Sequence, residues 1–320
     1  MSDRTEDDAA LCERLLGGEE HIDARQAFAR FQARRVEPRF AKIPFVWVGA
    51  LAAAVVIVLL VTTPLGSLGQ SFLTIFQPKA FAPINVSALH LRARLLPNLD
   101  EFGTLGRPRS SKPKDVVSAA AASRIAGFRA LVPAVVPSQV PTTSRFVVNL
   151  LAEESFRFSA AKARASAARK KRALPEMPAR LDGTMVTASI GPTIVQTWGV
   201  RGKRSDGPVL VVVQSVAPVV RSTGATLGEL ESYLLSMPGI SAELASQIRA
   251  IGDPSSTLPV PFEATKQTAQ SVNVDGASGL AIGDNTGLGA GVMWEKDGKL
   301  YAVFGTLTQD EVLGVANSLR

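Results

Sequence analysis

Residues 292–319 read VMWEKDGKLYAVFGTLTQDEVLGVANSL. Two β-rich runs flank Asp297-Gly298, a pair that favours the positive φ angles of a two-residue type I′ turn, so the stretch predicts a β-hairpin. Directly after it, Thr308-Gln-Asp-Glu311 has the spacing of a capping box, in which the hydroxyl and the carboxylate each satisfy a backbone N–H at a helix start. Val312, Val315, Ala316 and Leu319 then recur at i, i+3, i+4 and i+7, a stripe suited to lying on a sheet. A strand pair covered by its own following helix points to an α+β domain with a mainly antiparallel sheet and packed helices.

Working back along the chain, short runs of β-branched and aromatic residues predict further strands. These are Arg145–Leu151, Thr184–Ile190, Thr193–Val200, Val209–Gln214, Gln270–Val274 and Gly279–Ile282, besides the hairpin strands Gly291–Glu295 and Leu300–Gly305. A second capping box, Thr226-Leu-Gly-Glu229, opens another helix. The alanine-rich and arginine-rich stretch ending before Pro175 predicts a third. No internal repeat appears, which disfavours a solenoid or propeller. Residues 114–320 are numerous enough to bury the core of one domain.

No Asp, Glu, Lys, Arg or His occurs between Lys42 and Lys79. Inside that run Phe45–Thr63, FVWVGALAAAVVIVLLVTT, is long enough as a helix to span roughly 28 Å, the thickness of a bilayer's hydrocarbon core. The run is too long, and too far from the N-terminus, for a cleaved signal peptide. Arg25, Arg30, Arg34, Arg35, Arg39 and Lys42 crowd its N-terminal side, whereas the first cation after it is Lys79. The positive-inside rule therefore predicts a single N-in transmembrane helix. Four regions are expected: a cytoplasmic helical segment over 1–42, the transmembrane helix over 43–63, an interfacial helix and tether over 64–113, and an extracytoplasmic domain over 114–320. The interfacial helix is drawn from the helical spacing of Leu68, Phe72, Ile75 and Phe76, and the tether from Pro78, Pro83, Pro97 and RPRSSKPK.

The chain has 35 Lys and Arg against 28 Asp and Glu. Residues 1–42 hold nine acidic and eight basic side chains, so the excess positive charge lies beyond the membrane run. It is densest in SAAKARASAARKKRALPEMPAR, where Lys162, Arg164, Arg169, Lys170, Lys171 and Arg172 sit on the alanine-rich helix. A solvated helix face or attraction to an anionic lipid or cell-wall polymer both fit this pattern. Nucleic acid does not, because aromatic platforms and a recognition helix are missing.

One cysteine, Cys12, and two histidines, His21 and His90, leave little for zinc, disulfide or histidine-based chemistry, and no cofactor is expected. Ser159-Ala-Ala-Lys162 matches the S-x-x-K of acyl-transfer enzymes, but no K-T-G follows Ser271-Val-Asn273. LLSMPGISAELASQI, residues 234–248, resembles the helix-hairpin-helix motif, with Ser241 where a second glycine is usual; it is read as a structural helix pair hinged at Pro238-Gly239. GDNTGLGAGVMW lacks the lysine and the spacing of a phosphate loop, so its glycines are read as turn residues. The chain is expected not to be an enzyme.

AGFRALVPAVVP (Ala126–Pro137), PARLDGTMV and the ending VMWEKDGKLYAVFGTLTQDEVLGVANSL together resemble a bacterial family of domains of unknown function. That family is found at the C-terminus of membrane-anchored proteins of the anti-sigma-factor type. The resemblance implies a sensing or binding domain without catalytic residues, related to the curved antiparallel sheets of lipoprotein-carrier-like regulators, with a sigma factor or another cytoplasmic regulator as partner. The N-terminal segment departs from the anti-sigma pattern in having no His-x-x-x-Cys-x-x-Cys motif. It can form a helix on which Ile22, Phe28 and Phe31 make a narrow apolar stripe beside four arginines. The expectation is a partner-binding surface, or a juxtamembrane helix anchored by its arginines. The function expected is single-pass membrane signalling; the alternative is a tethered envelope-binding protein with no transcriptional role.

Overall fold

The computed structural model describes residues 73–86, 99–199 and 209–320. Every described residue belongs to one compact unit within 44–320. The run at 45–63 and the stripe of Ile22, Phe28 and Phe31 lie outside the described residues. Among those described, no helix is long and apolar enough to cross a membrane.

The larger of two principal sheets is antiparallel throughout. Its edge strand β13 (Gln267–Val274) is followed by β14 (Ala277–Asp284), β15 (Ala290–Lys296), β16 (Lys299–Gly305), β10 (Leu210–Val216), β9 (Thr193–Trp198), β6 (Ser144–Asn149) and β5 (Lys114–Val116). Seven of the eight expected strands are there, with ends shifted by a few residues, and the eighth, Thr184–Ile190, lies in the second sheet. The second sheet runs β1 (Leu73–Phe76), β11 (Val219–Ser222), β8 (Met185–Ile190), β7 (Ala152–Phe158) and β3 (Gly103–Leu105), with β4 (Arg109–Ser110) also on β7. A parallel pair, β2 (Ala80–Asn85) and β12 (Thr257–Phe262), completes the strands. Among the described residues five α-helices accompany them: α1 (Ala119–Ala126), α2 (Ala160–Lys170), α3 (Leu227–Leu235), α4 (Ala242–Arg249) and α5 (Gln309–Asn317).

The two sheets are one curled sheet folded over. β6 and β7, β8 and β9, and β10 and β11 are three bent strands that keep the same neighbour order on both sides of the fold. The bends fall at Leu150-Leu151, Gly191-Pro192 and Ala217-Pro218, two of them carrying a proline, which has no N–H to give a straight ladder. Other groups satisfy the freed backbone. Ser111 Oγ accepts from the N–H groups of Leu150 and Leu151 at 2.7 and 3.2 Å, Val216 N–H donates to Pro192 O at 3.1 Å, and Ala217 N–H donates to Gly298 O at 3.0 Å. Gly191 is needed at its bend, since a Cβ there would lie 2.8 Å from Val216 Cβ.

Alternation places the core. Phe156 and Phe158 of β7, Val186 and Ala188 of β8 and Val220 of β11 face Leu280, Ile282, Met293, Ala302, Phe304 and Val211 across the fold. Behind the large sheet Val212, Val292, Trp294 and Val303 pack on Val312, Val315, Ala316 and Leu319, the stripe expected to lie there. Ala122 and Ala126 of α1 cover Phe146, Val148 and Ile194. With both faces covered, the central strand β10 reads LVVVQSV without alternation.

The Asp297-Gly298 turn has φ of 53° and 72° at its two central residues, and Asp275-Gly276 repeats it at 48° and 81° between β13 and β14. Replacing Gly298 by valine, whose branched Cβ resists positive φ, should cost about 1 kcal/mol or more and lower the unfolding midpoint of the chain; an unchanged midpoint would deny the turn its role. Both capping boxes form as expected, on α3 and α5. The segment 234–248 is the end of α3, a turn in which Gly239 adopts φ 102°, and α4 capped by Ser241.

One expectation is overturned. The region assigned to an interfacial helix and tether, 64–113, supplies β1 to β4 where it is described, and Phe76 is a buried core residue. The apolar spacing around Phe76 fits a short strand as well as a helix, and pairing of β1 with β11 decides between them. Pro83 lies in β2, which pairs on one side only, with β12. The folded domain therefore reaches back at least to Leu73.

Candidate binding surface on the basic helix

α2 begins at Ser159, whose Oγ accepts from Lys162 N–H at 3.3 Å. It ends at Lys171, which takes the left-handed conformation at φ 48°. Its alanines let it lie close to the domain, with Ala163 and Ser166 on the buried side. Arg169 and Lys170 in the last turn also complement the negative end of the helix dipole.

The six expected cations divide into two sets. Lys162 Nζ donates to Gly103 O at 2.9 Å. Lys170 Nζ and Arg172 Nη2 both reach Glu101, at 2.5 and 3.0 Å, and Ser166 Oγ donates to the same carboxylate at 3.0 Å. Glu101 ends a short 3-10 turn, Leu99–Glu101, and is 6% exposed. The hydrogen bond from Lys170 holds its carboxyl below the ordinary glutamate value, aided by Ser166 and by the charges of Lys170 and Arg172, against burial, which pushes it up. These contacts clamp the helix to the start of β3. Arg164, Arg169 and Lys171 remain exposed, with no acid beside them in the described structure. They are exposed cations of this helix and its cap.

Ser159 and Lys162, the S-x-x-K pair, are thus a helix cap and a tie to Gly103. In the GDNTGLG stretch Asp284 Oδ1 accepts from Thr286 N–H, Thr286 Oγ and Leu288 N–H, closing the loop between β14 and β15. No group of three His, Cys, Asp or Glu suited to a metal occurs among the described residues. Glu101 went unnoticed in the sequence because it falls in the stretch taken for a tether; its only local signal is an acidic pair, Asp100-Glu101, beside apolar Leu99 and Phe102.

The stretches 126–137 and 292–319 meet. Gln214, fully buried on β10, uses its side-chain amide as a strand would, accepting from Leu131 N–H at 2.8 Å and donating to Leu131 O at 2.7 Å. Beyond it Val132 N–H donates to Arg320 O and Arg320 N–H to Val132 O, while Ala134 N–H donates to Ser318 O. The AGFRALVPAVVP segment is therefore a strap binding the end of α5 to the large sheet. No protein-family model, no curated protein and no solved structure matches the chain.

Proposed function

We propose that the chain is a single-pass membrane signalling protein of the anti-sigma-factor-like type. Its folded domain lies outside the membrane as a sensing or binding module, and its N-terminal segment acts on a cytoplasmic regulator. The observation that carries this is the charge asymmetry: six cations crowd the side before Phe45, and no charged residue follows until Lys79. The domain begins soon afterwards, at Leu73 or before. Protease added to intact cells should degrade the domain and spare an N-terminal tag; a protected domain with a degraded tag would reverse the orientation.

The basic helix supports the reading of the domain as an envelope-binding module, which stands even without a transcriptional role. A helix tied down by Lys162, Lys170 and the following Arg172 presents Arg164, Arg169 and Lys171 from a fixed backbone, so less entropy is lost on binding. Changing Arg164, Arg169 and Lys171 together to glutamine should weaken co-sedimentation of the full chain with anionic cell-wall polymer or with anionic vesicles several-fold at low salt, with the unfolding midpoint unchanged. Equal co-sedimentation of the two proteins would remove this surface from the proposal. The N-terminal arm is tested by Phe28→Ala with Phe31→Ala, which should abolish capture of a sigma factor by the full chain.

A further inference from the structure

The two edges of the large sheet are built differently. β5 is three residues long, follows Pro113, and carries Lys114 and Asp115 beside Lys112. Short length, proline and charge are the devices that keep a sheet edge from pairing with another chain. β13 has none of them. It runs eight residues as QTAQSVNV, without charge, proline or break in register against β14.

The Asp275-Gly276 turn fixes which groups of β13 point outward. In a two-residue hairpin the flanking pair, Val274 and Ala277, exchanges hydrogen bonds, and so do Val272–Gly279, Gln270–Ala281 and Thr268–Gly283. The backbone N–H and C=O groups of Ala269, Ser271 and Asn273 therefore face away from β14 and find no partner among the described residues. Ser271 and Asn273 are exposed. Both cores reach this rim half-covered: Ala269 packs on the cluster inside the fold, and Val272 on the cluster under α5.

We propose that β13 pairs with β13 of a second copy of this chain, antiparallel across a two-fold axis, joining two large sheets into one. Such an axis keeps side chains on their own faces only if odd-numbered residues meet odd-numbered residues, which are the ones with free backbone groups. Identical strands repel when like charges oppose each other, and QTAQSVNV has none to oppose. Two registers keep like faces together, with Gln270 or with Ser271 facing its own copy, and in both the flanking Lys266 and Asp275 keep the ion pairs they make within their own chain, with Glu263 and Lys296. The new strand also extends the apolar rims at Ala269 and Val272. These features select a second copy over a charged peptide, and isologous pairing closes the assembly as a dimer.

The full chain in mild detergent, with Cys12 changed to serine, is the protein to test. Gln270→Cys and Ser271→Cys, made singly, place one cysteine opposite its own copy in one or the other register, at a Cα separation a disulfide spans. One of them should give a disulfide-linked dimer on mild oxidation, whereas Glu243→Cys, exposed on α4, should not. By sedimentation equilibrium, Ser271→Lys should raise the dimer dissociation constant at least tenfold without changing the unfolding midpoint; Asn273→Lys serves if that variant is unstable. A chain that is monomeric at every concentration, a dimer indifferent to both lysine variants, or equal cross-linking at all three cysteines would overturn the proposal.

Discussion

Gly103→Ala should destabilise the domain by about 3 kcal/mol, as overpacking against backbone does. An added Cβ would fall well inside contact distance of the Arg157 carbonyl oxygen and the Phe156 ring, neither of which is a flexible side-chain end. β3 must then move off β7, and it takes with it Glu101 and the carbonyl that binds Lys162. Denaturant titration should show a lower midpoint with an unchanged slope. A midpoint within error of the wild type would mean that β3 is not held in its observed register.

Glu101→Gln should cost about 2 kcal/mol at neutral pH. The amide keeps the shape but takes the countercharge from Lys170 and Arg172, whose side chains are 43% and 38% exposed and can turn in part to water. The pH dependence has a definite sign. Glu101 titrates lower in the folded chain than its ordinary value of 4.5, so its stabilisation is fully present above that value and is lost as pH falls through the lowered folded one. The gap between wild type and variant should therefore close in acid. Glu154, on the core face of β7, works in the opposite direction, since burial alone raises its value and its charging above pH 4.5 opposes folding. A gap that stays constant down to pH 3 would assign the loss to shape and not to charge.

What was legible in the sequence follows from how local each signal is. Asp297-Gly298 and the two capping boxes need only their own few residues, and all three form as expected. β7 was missed because AEESFRF reads as charged; its alternation is plain only once Phe156 and Phe158 are seen facing inward while Glu153 meets Arg109 outside. β1 to β4 were missed because their partners lie far along the chain, where no local pattern announces them. The basic run was legible as a helix. That Lys162, Lys170 and Arg172 are spent on Gly103 and Glu101 depends on a fold-over that spacing does not encode.

The strap that ties Val135 to Ser318 spans 183 positions, and the pairing of Asn85 with Gln247 spans 162. Closing such distant contacts costs chain entropy before any contact repays it, which places this domain among slow folders. During synthesis the long strands around β10 exist for many seconds while the hairpin β15–β16 and the α5 stripe that must cover them are still unmade. A nascent chain of this protein therefore carries LVVVQSV before the residues that pair with it and cover it have been added.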